Sequence, residues 1–299
     1  MYYLVAFVNG WVNSLMTLVN GEFNTAVGNY TGTVLIHCIG LFFTLVVLAL
    51  KRERFRLFPK GAPAKEYLGG VIGVGVVLSS AFAYGSDIGV TQIIGLSLTG
   101  STVMSLLIDC FGWFGMEKRS VEPLKILALA VMAGGILFML APFSAFRPVP
   151  VLCALLCGVL MVLSRSFNGL LTERLGAMQS TLYNYITGLT ASAVVMLLLG
   201  RGEALWTGAQ LPSNPLWYTG GLLGVVSVTI LNIVIHRIPA LYLTIIMFIG
   251  QVAGGFVLDA LLGNGLPMGN LIGGLFCTAG MCINAIADRR RPQDKTERA

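Results

Sequence analysis

The sequence predicts an all-α integral membrane protein whose ten transmembrane helices form a 5+5 inverted-topology repeat. Three observations predict this class: an apolar composition, a series of long apolar segments, and a similarity between the two halves of the chain. Of 299 residues, 56% are apolar and 11% are charged, whereas soluble domains carry roughly 25% charged residues. The mean hydropathy of +0.83 also indicates a chain that lies mostly in lipid.

Ten apolar segments are long enough to cross a hydrocarbon core of ~30 Å as helices. Charge clusters and turn-forming Gly, Pro and Asn residues separate these segments. A β-barrel is excluded because the runs are too long and too continuously apolar for alternating strands. The predicted spans are 2–20, 29–50, 67–86, 89–109, 122–141, 149–168, 178–199, 216–236, 239–260 and 268–287.

The Lys and Arg residues predict the orientation of the spans. In a ten-span topology, 17 of the 19 basic residues lie on one side, and Arg147 and Arg201 lie on the other. Because cytoplasmic loops carry an excess of Lys and Arg, we expect both termini in the cytoplasm. The net charge of +6 is therefore an orientation signal, and no nucleic-acid partner is expected.

The two halves of the chain share an internal repeat. A shift of 148 residues superposes Asn9–Leu50 on Cys157–Leu198 with 11 identities in 42 positions. Such agreement at a fixed offset indicates a duplicated unit. The identical pairs include Gly10/Gly158, Asn20/Asn168, Gly21/Gly169, Gly28/Gly176 and Gly40/Gly188.

The similarity continues beyond these segments, with small gaps. Gly100 and Asp109 match Gly250 and Asp259, and EYLGGVIG matches WYTGGLLG, which lies 151 residues later. Each copy has five spans, so the second copy enters the membrane from the opposite side, an arrangement typical of secondary transporters. The predicted organisation is a first repeat at 1–143, an inverted second repeat at 144–288, and a basic cytoplasmic tail at 289–299.

Three features resemble the YdcZ-like five-helix bacterial membrane proteins of the drug/metabolite transporter superfamily. They are an Asn-Gly or Asn-x-x-x-Gly turn after the first span of each half, a GxxxG third span, and a fourth span that ends in Asp before a Gly-containing turn, as in GQVAGGFVLDALLGNG at 250–265. The resemblance covers residues 3–288 as two fused units, and is clearest in the second half.

The resemblance implies a ten-helix inverted-repeat transporter in the bacterial inner (cell) membrane. Its central cavity would be built from the first, third and fourth helices of each half, with the fifth helices at the periphery. The resemblance names no substrate. Small multidrug exporters of the same superfamily carry a membrane-embedded glutamate in the first helix, where this chain has Asn9 and Asn13. Proton exchange at that carboxylate is therefore not carried over to this chain.

Polar side chains inside the apolar spans are the candidate substrate contacts, because polar groups in hydrocarbon are expensive and usually face a cavity or a bundle interior. Asn9 and Asn13 lie one turn apart on one face of the first span. Gln251 lies near the middle of the ninth span between glycines. Hydrogen bonding between helices is the alternative role. The substrate-binding candidates are Asn9, Trp11, Asn13, Ser101, Asn232 and Gln251.

Three further residues are candidates for gating or for coupling to an ion. His37 lies in the middle of the second span, and an imidazole that titrates near neutrality can carry a proton; simple packing is its alternative role. Arg165 lies three residues from the predicted end of the sixth span and could pair with Asp109 as a cytoplasmic latch. Its alternative is to extend toward the lipid headgroups.

The sequence thus predicts a secondary active transporter of a small organic metabolite or an organic cation, which works by alternating access around a midplane cavity. Cation–π contact with Trp11, Tyr84 or Trp113 would favour the cation. The alternatives are a non-transporting membrane scaffold or receptor and a membrane-embedded enzyme. The enzyme is disfavoured by two distant histidines and the absence of clustered catalytic groups. No cofactor or metal is expected; the expected partners are a small molecule and the bilayer, in a monomer or homodimer.

Overall fold

A computed structural model places most of the chain in α-helices. The described part contains no β-strand. The described residues are 2–52, 62–85, 88–115, 123–139, 148–208, 211–234, 240–263 and 268–289.

Each predicted span corresponds to one long helix of the structure, and one further helix, α8, is a single turn. Short 3₁₀ segments at Ala64–Tyr67, Trp113–Gly115 and Pro215–Thr219 lie in the connections. The helices are α1 (Tyr2–Val27), α2 (Asn29–Leu50), α3 (Leu68–Tyr84), α4 (Val90–Phe111), α5 (Pro123–Met139), α6 (Pro148–Leu175), α7 (Ala177–Leu199), α8 (Ala204–Thr207), α9 (Gly220–Val234), α10 (Ala240–Leu261) and α11 (Met268–Arg289).

Six of the described helical segments are long and apolar enough to cross a membrane. They belong to α1, α2, α3, α4, α6 and α7. Shorter apolar segments lie in α5, α10 and α11. The chain is therefore a multi-pass, all-helical membrane protein.

The distribution of side chains is that of a protein surrounded by lipid. Large apolar residues cover the outside; Leu50, Leu198 and Leu261, for example, are each more than 70% exposed. Polar residues such as Thr33 and Thr44 are instead buried between helices. Their hydroxyl groups donate to the backbone carbonyls four residues earlier, at 2.6 and 2.7 Å. This local bonding satisfies the hydroxyls where no water is present.

The first helix of each half is longer than predicted. The expected ends were residues 20 and 168, but α1 continues to Val27 and α6 continues to Leu175. Each helix ends at a glycine with positive φ, Gly28 at 97° and Gly176 at 86°, a conformation that glycine adopts without steric penalty. The repeated Asn-Gly pairs are therefore helical, and the turns lie at the second repeated glycine.

The helix contacts follow the duplication seen in the sequence. α1 packs against α9 and α10. In the same way α6, the counterpart of α1, packs against α3 and α4, the counterparts of α9 and α10. α2 contacts its counterpart α7, and α5 contacts its counterpart α11. Two related groups result, one of α1, α9 and α10 and one of α3, α4 and α6. Each group combines helices from both halves of the chain.

Close helix crossings made by glycine appear in both groups. In one, Gly10 on α1 lies against Gly250 on α10, and a Cβ atom on either would collide with the backbone of the other helix. In the other, Gly158 on α6 and Gly100 on α4 have the same relationship. These four residues are the two pairs matched by the internal repeat. Small residues let helix backbones approach closely in a membrane, so the repeat has preserved a packing contact.

Candidate functional site

A cavity of about 180 Å³ lies between the two helix groups. It extends from the helix midpoints toward the end of the bundle where α1 and α3 end and α4 begins. Its described lining comes from α1, α3, α4, α6 and α10, whereas α5 and α11 contribute none. The lining residues are Asn13, Met16, Thr17, Asn20, Gly21, Asn24, Val76, Val77, Ser80, Ala81, Ile93, Ile94, Ser97, Leu98, Ser101, Cys157, Met161, Arg165 and Gln251.

One face of α1 supplies a row of polar groups to the cavity. Asn13, Thr17, Asn20 and Asn24 follow one another at helical spacing, so they share a face. The Oδ1 atom of Asn13 accepts a 2.9 Å hydrogen bond from the hydroxyl of Ser227 on α9. The row is thus anchored to a neighbouring helix at its deepest residue.

Two residues of this row carry buried polar atoms without a protein partner. Asn20 Oδ1 and both side-chain polar atoms of Asn24 have no hydrogen-bond partner among the described residues. A buried amide left unpaired costs about 1–3 kcal/mol, so such groups are normally satisfied by water or by a ligand. Asn20 Oδ1 lies against Gly220 on α9, and Asn24 Oδ1 lies against Gly32 on α2, so these oxygens face the neighbouring helices.

The positive charge in the lining comes from α6. Arg165 shares a helix face with Cys157 and Met161, and all three line the cavity. Since α6 continues to Leu175, Arg165 lies ten residues before the helix end, or about 15 Å. The prediction that it lies three residues from that end was wrong. Its side chain is exposed, and the residue belongs to the cavity lining.

Gln251 and Ser101 line the cavity from equivalent positions on α10 and α4. The backbone carbonyl of Gln251 accepts a 2.6 Å hydrogen bond from Ser14 Oγ on α1. Ser101 Oγ donates to the carbonyl of Leu98 at 2.8 Å. The structure therefore brings Asn13, Ser101, Arg165 and Gln251 together.

Asn9 and Trp11 are not part of the described lining. Asn9 is 1% exposed, and neither of its side-chain polar atoms has a partner among the described residues. The indole Nε1 of Trp11 is also without a described partner. Both residues precede Asn13, the first lining residue of α1, by one helical turn or less. Their contact with a substrate stays a prediction.

His37 packs between helices α2 and α7. Its Nδ1 donates a 2.8 Å hydrogen bond to the carbonyl of Thr33, and its ring lies edge-on to Tyr185. The opposite ring edge faces Gly188, while the equivalent glycine, Gly40, faces Tyr185. His37 and Tyr185 thus occupy equivalent places in the two halves. His37 does not line the cavity, and its coupling role stays a prediction.

Two candidates have side chains outside the described residues. Asn232 belongs to α9 and Asp109 to α4, but only their backbones are described. The pairing of Asp109 with Arg165 is therefore still a prediction. No ion pair of Arg165 occurs within the described part of the chain.

Two carboxylates have roles that the sequence alone did not reveal. Asp259 on α10 is 2% exposed and accepts hydrogen bonds from the backbone N–H groups of Val90 and Thr91 at 2.9 and 3.0 Å. Glu203 accepts a hydrogen bond of 2.7 Å from the N–H of Thr31 in the first turn of α2. Each carboxylate thus accepts hydrogen bonds from backbone N–H groups in the first turn of a helix, which have no partner within the helix.

Comparisons with known proteins agree with this architecture. A family model described as "Putative inner membrane exporter, YdcZ" matches residues 1–138 and 149–283. No curated protein matches the chain. One solved structure, described only as "Crystal structure of protein", has a TM-score of 0.63 over 97% of this chain and 99% of its own, at 16% identity, which shows a common fold. The protein therefore belongs to the YdcZ family of the drug/metabolite transporter superfamily, a family of inner-membrane transport proteins rather than of enzymes.

Proposed function

We propose that the protein is a secondary active transporter that moves a small organic metabolite by alternating access. The two halves act as inverted repeats, 1–143 and 144–288, with both termini in the cytoplasm. The observation that carries the proposal is a cavity lined from both halves at equivalent positions. The equivalent lining pairs are Asn13/Met161, Thr17/Arg165 and Ser101/Gln251.

The helix packing supports a rocking motion around this cavity. The group of α1, α9 and α10 and the group of α3, α4 and α6 have the same internal contacts. Two equivalent bodies on either side of a site can exchange conformations, so that the site opens first to one side of the membrane and then to the other. The separate family matches at 1–138 and 149–283 support the same division.

The lining favours a metabolite over an organic cation. No described lining residue carries a negative charge. Trp11, Tyr84 and Trp113, the aromatic residues that would favour a cation, are absent from the described lining. Tyr84 packs against Gly21 and donates a 2.7 Å hydrogen bond to Glu22 instead.

The experiment is transport by the purified protein in liposomes, against a panel of labelled amino acids, carboxylic acids, nucleosides, vitamins and quaternary amines, with and without a proton gradient. The variant Ser101→Trp fills the cavity and should abolish uptake. Val103→Trp, on the lipid-exposed face of the same helix, should leave uptake near the wild-type level. No uptake of any compound, or full uptake by Ser101→Trp, would contradict the proposal. Binding without uptake would instead indicate a receptor or scaffold.

A further inference from the structure

Arg165 is the charged residue in the described lining of the cavity. An ionised side chain within a membrane protein is expensive and normally faces a partner or a functional cavity. Arg165 is the deepest lining residue of α6, since the other two, Cys157 and Met161, come earlier on the same face. Because α6 runs antiparallel to α3, Arg165 lies farther than those two residues from the end of the bundle where α1 and α3 end.

The described carboxylates do not neutralise this charge. On the lining helices, Glu22 accepts a hydrogen bond from Tyr84, and Asp259 accepts two from the first turn of α4. Glu173, on α6 itself, is exposed near the end of that helix. None of these groups forms an ion pair with Arg165. The cavity therefore has a net positive charge at its described surface.

The rest of the lining has two kinds of surface. The apolar surface comes from α3 and α4, through Val76, Val77, Ile93, Ile94 and Leu98. The polar surface comes from the asparagines of α1. At about 180 Å³, the cavity is smaller than the sites that hold drug-sized molecules, which have volumes of about 300–1,000 Å³.

We propose that the cavity binds a small organic anion, a carboxylate on an apolar body, with Arg165 as the residue that contacts the carboxylate. A planar guanidinium can bind both carboxylate oxygens at once, an interaction stronger than a neutral hydrogen bond. The apolar residues of α3 and α4 cover the body of the ligand, and the α1 amides contact any further polar group. This inference rests on the proposed function because it names the substrate class of that transporter.

The test compares ligands that share one carbon skeleton and differ in charge. Isothermal titration calorimetry of the detergent-solubilised full chain uses benzoate, benzamide and benzylamine, and then 4-methylpentanoate with its amide and amine. At least one carboxylate should bind more tightly than both of its neutral and cationic analogues. If neither carboxylate binds in preference to its analogues, the proposal is overturned.

The second part of the test changes the protein. Arg165→Gln should weaken carboxylate binding roughly tenfold or more, and Arg165→Lys should keep the preference for the anion. Arg201→Gln, which removes the same charge from an exposed turn, should bind like the wild type. The thermal stability of Arg165→Gln should not fall, because the substitution removes an ion from the membrane interior. Unchanged carboxylate affinity in Arg165→Gln would overturn the proposal.

Uptake of the same acids into proteoliposomes separates this inference from the proposed function. Carboxylate binding that depends on Arg165, without uptake, supports the anion site and contradicts transport. Uptake of amides or amines that Arg165→Gln does not alter supports transport and contradicts the anion site. Carboxylate uptake that is lost in Arg165→Gln and retained in Arg201→Gln supports both.

Discussion

Asp259 accepts a 2.9 Å hydrogen bond from the backbone N–H of Val90, so a side chain of the second half completes the first turn of a helix in the first half. The same carboxylate bonds the N–H of Thr91. Asp259→Asn should lower the free energy of unfolding by about 2 kcal/mol, because an amide oxygen replaces a charged acceptor at a buried helix N-terminus. Thermal unfolding in detergent, followed by circular dichroism, measures this change.

The control for this prediction is Glu173→Gln. Glu173 is exposed on α6, so its neutralisation should change the free energy of unfolding by less than about 0.5 kcal/mol. Equal effects of the two substitutions would show that Asp259 does not support α4.

The glycine crossings predict a second result. Gly10→Ala and Gly158→Ala should each destabilise the protein by about 1–3 kcal/mol, because the new Cβ atoms collide with the facing backbone. Gly169→Ala is the matched control: it lies in α6 with open space around it and should be neutral or slightly stabilising. Denaturant unfolding in detergent measures all three. Tolerance of alanine at both crossing positions would argue against the close approach of these helices.

The proposed inverted topology predicts that equivalent positions lie on opposite sides of the membrane. Lys51 and Arg201 are exposed residues just after the equivalent helices α2 and α7. In a cysteine-free background, Lys51→Cys should react with a membrane-impermeant maleimide only after the cells are opened. Arg201→Cys should react in intact spheroplasts. Labelling of both positions from the same side would show that the two halves are not inverted.

The Glu66–Arg174 pair predicts an asymmetric response to substitution. Glu66 is 2% exposed and its Oε2 lies 2.8 Å from Nε of Arg174, which is itself half-exposed. Arg174→Gln should therefore destabilise by about 2 kcal/mol, because it leaves a buried carboxylate without its cation. Glu66→Gln should cost less, since it leaves the arginine free to reach water.

The double variant tests this explanation. Glu66→Gln added to Arg174→Gln should recover part of the lost stability, since the unpaired carboxylate is removed. A double-mutant cycle of unfolding free energies measures the coupling between the two side chains. Additive losses would mean that the pair contributes nothing to stability.

The all-helical, multi-pass character of the chain could be predicted from hydropathy because lipid contact requires continuous apolar surface. The ends of the helices could not. Residues Asn20 to Val27 continue α1 beyond its apolar segment. Asn24 in this part is only 2% exposed and faces other helices. A hydropathy pattern reports contact with lipid, so a helical segment that is polar but enclosed by protein is missed.

The candidate site was predicted in part for the same reason. Asn13, Ser101 and Gln251 were chosen as polar residues inside apolar spans, and they line the cavity. Asn20 and Asn24 were missed because they follow the apolar segment. Arg165 was expected near a helix end because the predicted span ended too early. The capping roles of Asp259 and Glu203 depend on contacts across at least 168 residues of sequence, which no local pattern reveals.

The equivalent positions Thr17 and Arg165 both line the cavity, yet only one of them is ionised. If two identical subunits enclosed such a chamber, symmetry would place a guanidinium on each wall or on neither. Two would repel each other across a narrow space, and none would leave the proposed anionic ligand without a counterion. A single polypeptide that contains both copies can instead specialise one wall for charge and keep the other neutral. Covalent fusion of the halves thus allows a one-sided recognition surface within a nearly symmetric scaffold.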